Sequence, residues 1–129
     1  MASRISAVSG LEMLEGTAGV RVIVLLGEHD VSSAPALRLA LAGARQAGCG
    51  VVVELSVASF VDSSVLGAIL GGLRDAKEDG RGFAVVASDQ QEGHVPRLLG
   101  ITGLRAVFPV FESRLIAAER AAAGHNGPR

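Results

Sequence analysis

Apolar residues recur along the chain at two periods. The β-branched run VRVIVLL, Val20 to Leu26, predicts a strand. Leu11 to Glu15 predicts another, and the turn residues from Gly16 to Gly19 join the two as an antiparallel hairpin. The pattern then changes to a helical one. Leu37, Leu41 and Ala44 share one face, Ser32 and Ser33 offer capping hydroxyls, Pro35 suits a first turn, and Gly48 marks the end. Val51 to Leu55 is nearly continuous in apolar residues, as a strand covered on both faces requires. From Ser64 to about Glu78 the helical period returns, with Leu66, Ile69, Leu70 and Leu73 facing inward and Asp79-Gly80 as the stop. Phe83 to Ala87 is a further buried strand, and Gln91 to Gly100 a short helix disturbed by Gly93 and Pro96. Val107 to Phe111 is a brief strand limited to an edge by Pro109, and Glu112 to about Ala122 a last helix with Ser113 as its cap.

Strands alternate with helices after the hairpin. This order predicts an α/β sandwich, with a mixed, mostly parallel sheet of about five strands flanked by about four helices. One domain over residues 11–121 is expected, preceded by a flexible N-terminus over 1–10 and followed by a disordered tail over 122–129.

Composition narrows the function. The 12 basic and 13 acidic residues nearly balance and form no cluster, which argues against a nucleic-acid partner. Trp and Tyr are absent, so there is no stacking platform for single strands. The single cysteine, Cys49, allows no internal disulfide and reads as a small filler in a reducing compartment. The first ten residues lack a signal-peptide core, and no apolar run is long enough to insert in a membrane. A cytoplasmic domain is expected, monomeric or weakly dimeric, without a cofactor.

The candidate chemistry gathers in SFVDSSVLGAILGGL, Ser59 to Leu73. Asp62, Ser63 and Ser64 stand at a loop-to-helix joint beyond a strand's carboxyl end, where α/β folds place their sites. Asp62 or Ser63 suits an N-cap, yet a cap needs only one side chain. Ser64, Gly67 or Ala68, Gly71 and Asp75 share a stripe of low relief. It suits either a partner lying flat or close packing on a neighbouring helix. A nucleophilic serine needs a base, and His29 is the candidate. The G-x-S-x-G elbow is missing, so His29 and His94 read as surface residues. Glu28, Asp30 and Asp62 are a weak magnesium signal, and no phosphate-cradling loop is present.

Three segments carry a resemblance: GEHDVSSAPALR (Gly27–Arg38), VVVELSVASFVDSSVLGAILGGL (Val51–Leu73) and LLGITGLRAVFPVFES (Leu98–Ser113). In this order and spacing the chain resembles the STAS domains of bacterial anti-sigma factor antagonists from Leu11 to Glu119. The resemblance implies a STAS-like sandwich and a regulatory binding module rather than an enzyme. It implies that Ser63, in the family's D-S-[ST]-G-L motif, is phosphorylated by an anti-sigma factor with serine-kinase activity. A PP2C-type phosphatase then restores the serine. Asp30 matches the family's acid near the acceptor, and the implied partner surface comprises Asp30, Asp62, Ser63, Ser64, Gly67 and Gly71. Val65 stands where the family usually has glycine, which implies bulk beside the acceptor. Two other readings compete: a STAS binding subunit never phosphorylated, in a lipid-transport or sensory assembly, and a small serine hydrolase using Ser63 and His29.

Overall fold

The run from Val20 to Leu25 becomes a central strand, and the other elements assemble around it. The computed structural model describes residues 3–8, 10–16, 19–90 and 92–128. In chain order the elements are β1 (Ser3–Val8), β2 (Leu11–Glu15), β3 (Val20–Leu25), β4 (Gly27–His29), α1 (Ala34–Gln46), β5 (Gly50–Glu54), β6 (Ala58–Val61), α2 (Ser63–Asp79), β7 (Phe83–Val86), α3 (His94–Ile101), a 3-10 turn (Leu104–Ala106), β8 (Val110–Phe111) and α4 (Arg114–Ala122). The main sheet has the order β1-β2-β3-β5-β7-β8. The expected hairpin is β2-β3, antiparallel, while β3, β5, β7 and β8 run parallel.

Alternation along the strands splits the core in two. Ile23, Leu25, Val51, Val53, Phe83 and Val85 face α1, α2 and α3, where Leu37, Leu41, Leu66, Ile69, Leu73 and Leu99 complete a cluster. Val20, Val22, Val24, Val52, Ala84 and Val86 face the other way and are closed over by Ala117 and Ala121 of α4.

Three expectations change. Residues 3–8, read from sequence as part of a flexible N-terminus, form β1 and pair antiparallel with β2. Without β1, β2 would present an open edge, and backbone pairing needs no apolar pattern. The tail is not free either. Phe83 N–H donates to the His125 carbonyl at 2.8 Å and the Asn126 amide to the Arg81 carbonyl at 2.9 Å. These bonds answer backbone groups left open at the start of β7. Finally, a second, two-stranded parallel sheet joins β4 to β6. Gly27, at φ +78°, turns the chain out of the main sheet after β3 and into this pair. Strands of three and four residues carry too little periodicity to be seen in sequence.

Candidate partner-binding site at the start of α2

The small sheet brings two carboxylates together. Asp62 N–H donates to the His29 carbonyl at 3.2 Å, so the pairing of β4 with β6 carries Asp30 to the side of Asp62. Each aspartate closes a local ring. Asp30 Oδ1 accepts from Ser32 N–H at 2.9 Å and from the Ser32 hydroxyl at 2.6 Å. Asp62 Oδ1 accepts from Ser64 N–H at 3.0 Å, Val65 N–H at 3.1 Å and the Ser64 hydroxyl at 2.6 Å. Asp62, and not Ser63, is therefore the cap of α2. Ser32 serves Asp30 and does not cap α1, and Ser33, at that cap position, makes no side-chain cap bond.

Both carboxyls are held below the ordinary value of 3.8. For Asp30 the main cause is the Ser32 hydroxyl. For Asp62 it is the Ser64 hydroxyl, opposed by desolvation and by the charge of Asp30, and supported by the Val65 and Ser64 amides. At neutral pH the site thus holds two negative charges beside the positive end of a helix.

Ser63 is the first residue of α2 and is exposed. Its two neighbours in the triplet are occupied in the cap, whereas its own hydroxyl makes no hydrogen bond among the described residues. Val65 points the other way. It is 0 % exposed and belongs to the core, so its bulk does not stand beside Ser63 as the resemblance implied. The glycines of α2 divide as well. A Cβ on Gly72 would lie 3.0 Å from Leu41 and 3.1 Å from Phe83, which is close packing within the domain. Cβ atoms on Gly67 or Gly71 would meet nothing within 4 Å.

Neither His29 nor His94 is a surface residue. His29 is fully buried, its Nε2 hydrogen-bonded to the Leu26 carbonyl at 3.0 Å, and the ring lies against Gly10. Committed there, it supplies no base to Ser63. His94 is half-buried, its Nε2 hydrogen-bonded to the Val61 carbonyl at 2.7 Å and its ring stacked on Phe60 with centroids 4.5 Å apart. It therefore fastens α3 to β6 one residue before Asp62, a role the sequence did not reveal because Gly93 and Pro96 obscured the start of α3. Among the described residues no group of three or more His, Cys, Asp or Glu is placed to hold a metal ion, and Glu28, Asp30 and Asp62 form no such set. No helix among them is long and apolar enough to cross a membrane.

Residues 12–109 match the family model described as Mlab, STAS domain. No curated protein matches the chain. Among solved structures, an anti-sigma factor antagonist from Mycobacterium paratuberculosis is 29% identical with a TM-score of 0.73, covering 91% of this chain and 98% of its own. The anti-sigma factor antagonist SpoIIAA in its unphosphorylated form is 20% identical with a TM-score of 0.67, over 89% of this chain and 99% of its own. The Bacillus cell fate determinant SpoIIAA in the phosphorylated form is 20% identical with a TM-score of 0.65, over 85% and 97%.

Proposed function

The chain belongs to the STAS domain family, and we propose that it acts as a cytoplasmic anti-sigma factor antagonist switched by phosphorylation of Ser63. Unmodified, it binds an anti-sigma factor that is also a serine kinase and so releases a sigma factor. Phosphorylated, it lets go, and a PP2C-type phosphatase resets it. The likeness to the mycobacterial antagonist supports the general role. The observation that carries the switch is the exposed hydroxyl of Ser63, without a hydrogen bond among the described residues, between two residues spent on capping α2. Asp30, Asp62, Ser63, Ser64, Gly67 and Gly71 form the partner surface in this reading.

The physics suits a switch on the surface. A phosphoserine carries about −1.5 to −2 charges at neutral pH. At the first position of α2 that charge meets the positive end of the helix and leaves the fold intact. Added to the charges of Asp30 and Asp62, it changes what a partner meets. The reading of a subunit that is never phosphorylated rested on bulk at Val65, and that side chain is buried. A hydrolase would need an imidazole at Ser63, and His29 is engaged elsewhere.

The test is incubation with purified anti-sigma factor kinases of the source organism, ATP and Mg²⁺. The expected result is one phosphate by intact mass on wild type and none on Ser63→Ala. Ser63→Ala should keep binding the anti-sigma factor and Ser63→Asp should lose it. Equal binding by both variants would overturn the switch.

A further inference from the structure

Among the described residues His29 is the ionisable side chain buried deepest, at 0 % exposed, and the proposed switch makes no use of it. Its Nε2 lies 3.0 Å from the Leu26 carbonyl, which can only accept, so Nε2 carries the ring proton. Nδ1 is then a bare acceptor, buried and without a hydrogen-bond partner among the described residues. Leu26 in turn gives its N–H to the Gly10 carbonyl at 2.8 Å. A Cβ on Gly10 would lie 2.9 Å from the Leu26 carbonyl oxygen and 3.3 Å from the ring. The turn at Gly10, with φ +82°, thus closes over the imidazole at a distance that suits glycine alone. On its backbone side His29 accepts the Asp62 N–H at 3.2 Å, and Asp30 follows it in the chain. One residue therefore ties the Gly10 turn to both aspartates of the site.

Charging this ring places a second N–H at Nδ1, where no acceptor meets it, and a buried charge without a partner is disfavoured. The ionisable groups around it offer none. Glu28, before it in β4, is exposed. Asp30 lies close enough for a charge on the ring to lower its carboxyl further, but that carboxyl is turned onto Ser32. Across the pair, Asp62 at the end of β6 is turned into the cap of α2. Glu12 of β2 stands in register with Val24, on the α4 side of the sheet. His94 of α3 keeps Nε2 on the Val61 carbonyl, and its Nδ1 is not a buried, unpartnered atom, so it takes up a proton without losing a bond. We propose that His29 is a proton-sensitive latch: uptake of a proton at Nδ1 drives the ring from its pocket, parts β4 from β6 and separates Asp30 from the start of α2. The open form binds a proton that the closed form cannot place, so the closed form loses ground as the pH falls. Both aspartates are held below 3.8, so between pH 7.5 and 5.5 the response belongs to histidine. The latch adds an input to the partner surface of the proposed function, yet it is read without a partner, and either can fail alone.

The experiment is native-state hydrogen exchange on the full chain at pH 7.5 and 5.5, with rates corrected for the intrinsic effect of pH. The Asp62 N–H, which closes on the His29 carbonyl, should exchange faster than the amides of β5 at both values. An imidazole in water takes up its proton near pH 6.5. Opening at Asp62 should therefore be about tenfold more frequent at pH 5.5 than at pH 7.5. His29→Gln keeps a donor for the Leu26 carbonyl and gains no charge, so its opening should be the same at both values. His94→Gln should respond as the wild type does. If His29→Gln does not fold, His29→Leu takes its place, filling the pocket with a side chain that binds no proton. A corrected Asp62 rate that does not change with pH in the wild type would overturn the latch. So would a response in His29→Gln or His29→Leu as large as that of the wild type.

Discussion

At Asp62 a single oxygen does the organising. Three donors converge on Oδ1, two from the backbone of α2 and one from Ser64. That arrangement satisfies two of the open amides at the helix start and turns the Ser63 side chain out to solvent as the remaining hydroxyl. The pH dependence has a definite sign. Hydrogen bonds hold the folded carboxyl below its ordinary value of 3.8. Its stabilising contribution is therefore complete above that value and is lost as the pH falls through the lower, folded one. Asp62→Ala is expected to lower the thermal unfolding midpoint at pH 7 by roughly 3–5 °C. The gap to wild type should narrow below about pH 4 as the carboxyl takes up its proton. Asp62→Asn, which still accepts these bonds but without the charge, should fall between Asp62→Ala and wild type at pH 7. A gap of the same size at pH 3 and pH 7 would show that the charge of Asp62 plays no part. Val65, three residues on, is a lesson about direction: nearness in sequence to Ser63 says nothing of facing, because positions two apart on a helix lie about 200° round its axis.

Among the elements, the β4-β6 pair is the one that makes the site, and it was the least legible. The long periodic segments at Leu37–Ala44 and Leu66–Leu73 and the β-branched runs could be read directly, because burial on one face or two imposes a pattern. Gly27–His29 and Ala58–Val61 bury only part of one face, so nothing periodic announces them. Asp30 and Asp62 could be named from motif and resemblance, but their meeting depends on this pairing. The pair itself leans on α3 through His94, which stacks on Phe60 and hydrogen-bonds to the Val61 carbonyl. Removing that ring leaves a backbone carbonyl without its partner and an aromatic face without its stack. His94→Ala should cost about 1–2 kcal/mol in denaturant unfolding. Native-state hydrogen exchange should quicken at Asp62 and Val61 before it does in β5. Uniform exchange across both strands would mean that α3 does not support the loop that leads into Ser63.

Over the whole molecule, the proposed site and the fastening of α4 occupy opposite ends of the sheet. The carboxyl ends of β3 and β5 lead to Asp30 and, through β6, to Ser63. The amino ends of β5 and β7 receive the last turn of α4 and the tail. The contact at that second end is close: a Cβ on Gly82 would lie 1.8 Å from the Ala121 carbonyl, and one on Gly50 3.0 Å from it. Among the described residues α4 is the helix that covers its face of the sheet, with small residues, Ala117 and Ala121, toward the strands. Its other end is tied by the ion pair of Arg114 with the buried Glu54, which also accepts from the Ser56 hydroxyl at 2.8 Å. Gly80 reads in sequence as a helix stop, and nothing in the sequence singles out Gly82, since the helix that presses on it is about forty residues away and no local pattern records such an approach. Gly82→Ala must push α4 off the sheet and is expected to cost about 3 kcal/mol in urea unfolding. Because Asp62 and Gly82 have no partner in common among the described residues, this loss should add to that of Asp62→Ala within about 0.5 kcal/mol. Folded Gly82→Ala protein should still accept phosphate on Ser63 at the wild-type rate. A slower rate in protein shown by circular dichroism to be folded would mean that the position of α4 reaches the acceptor through the sheet, and that the two ends are not independent.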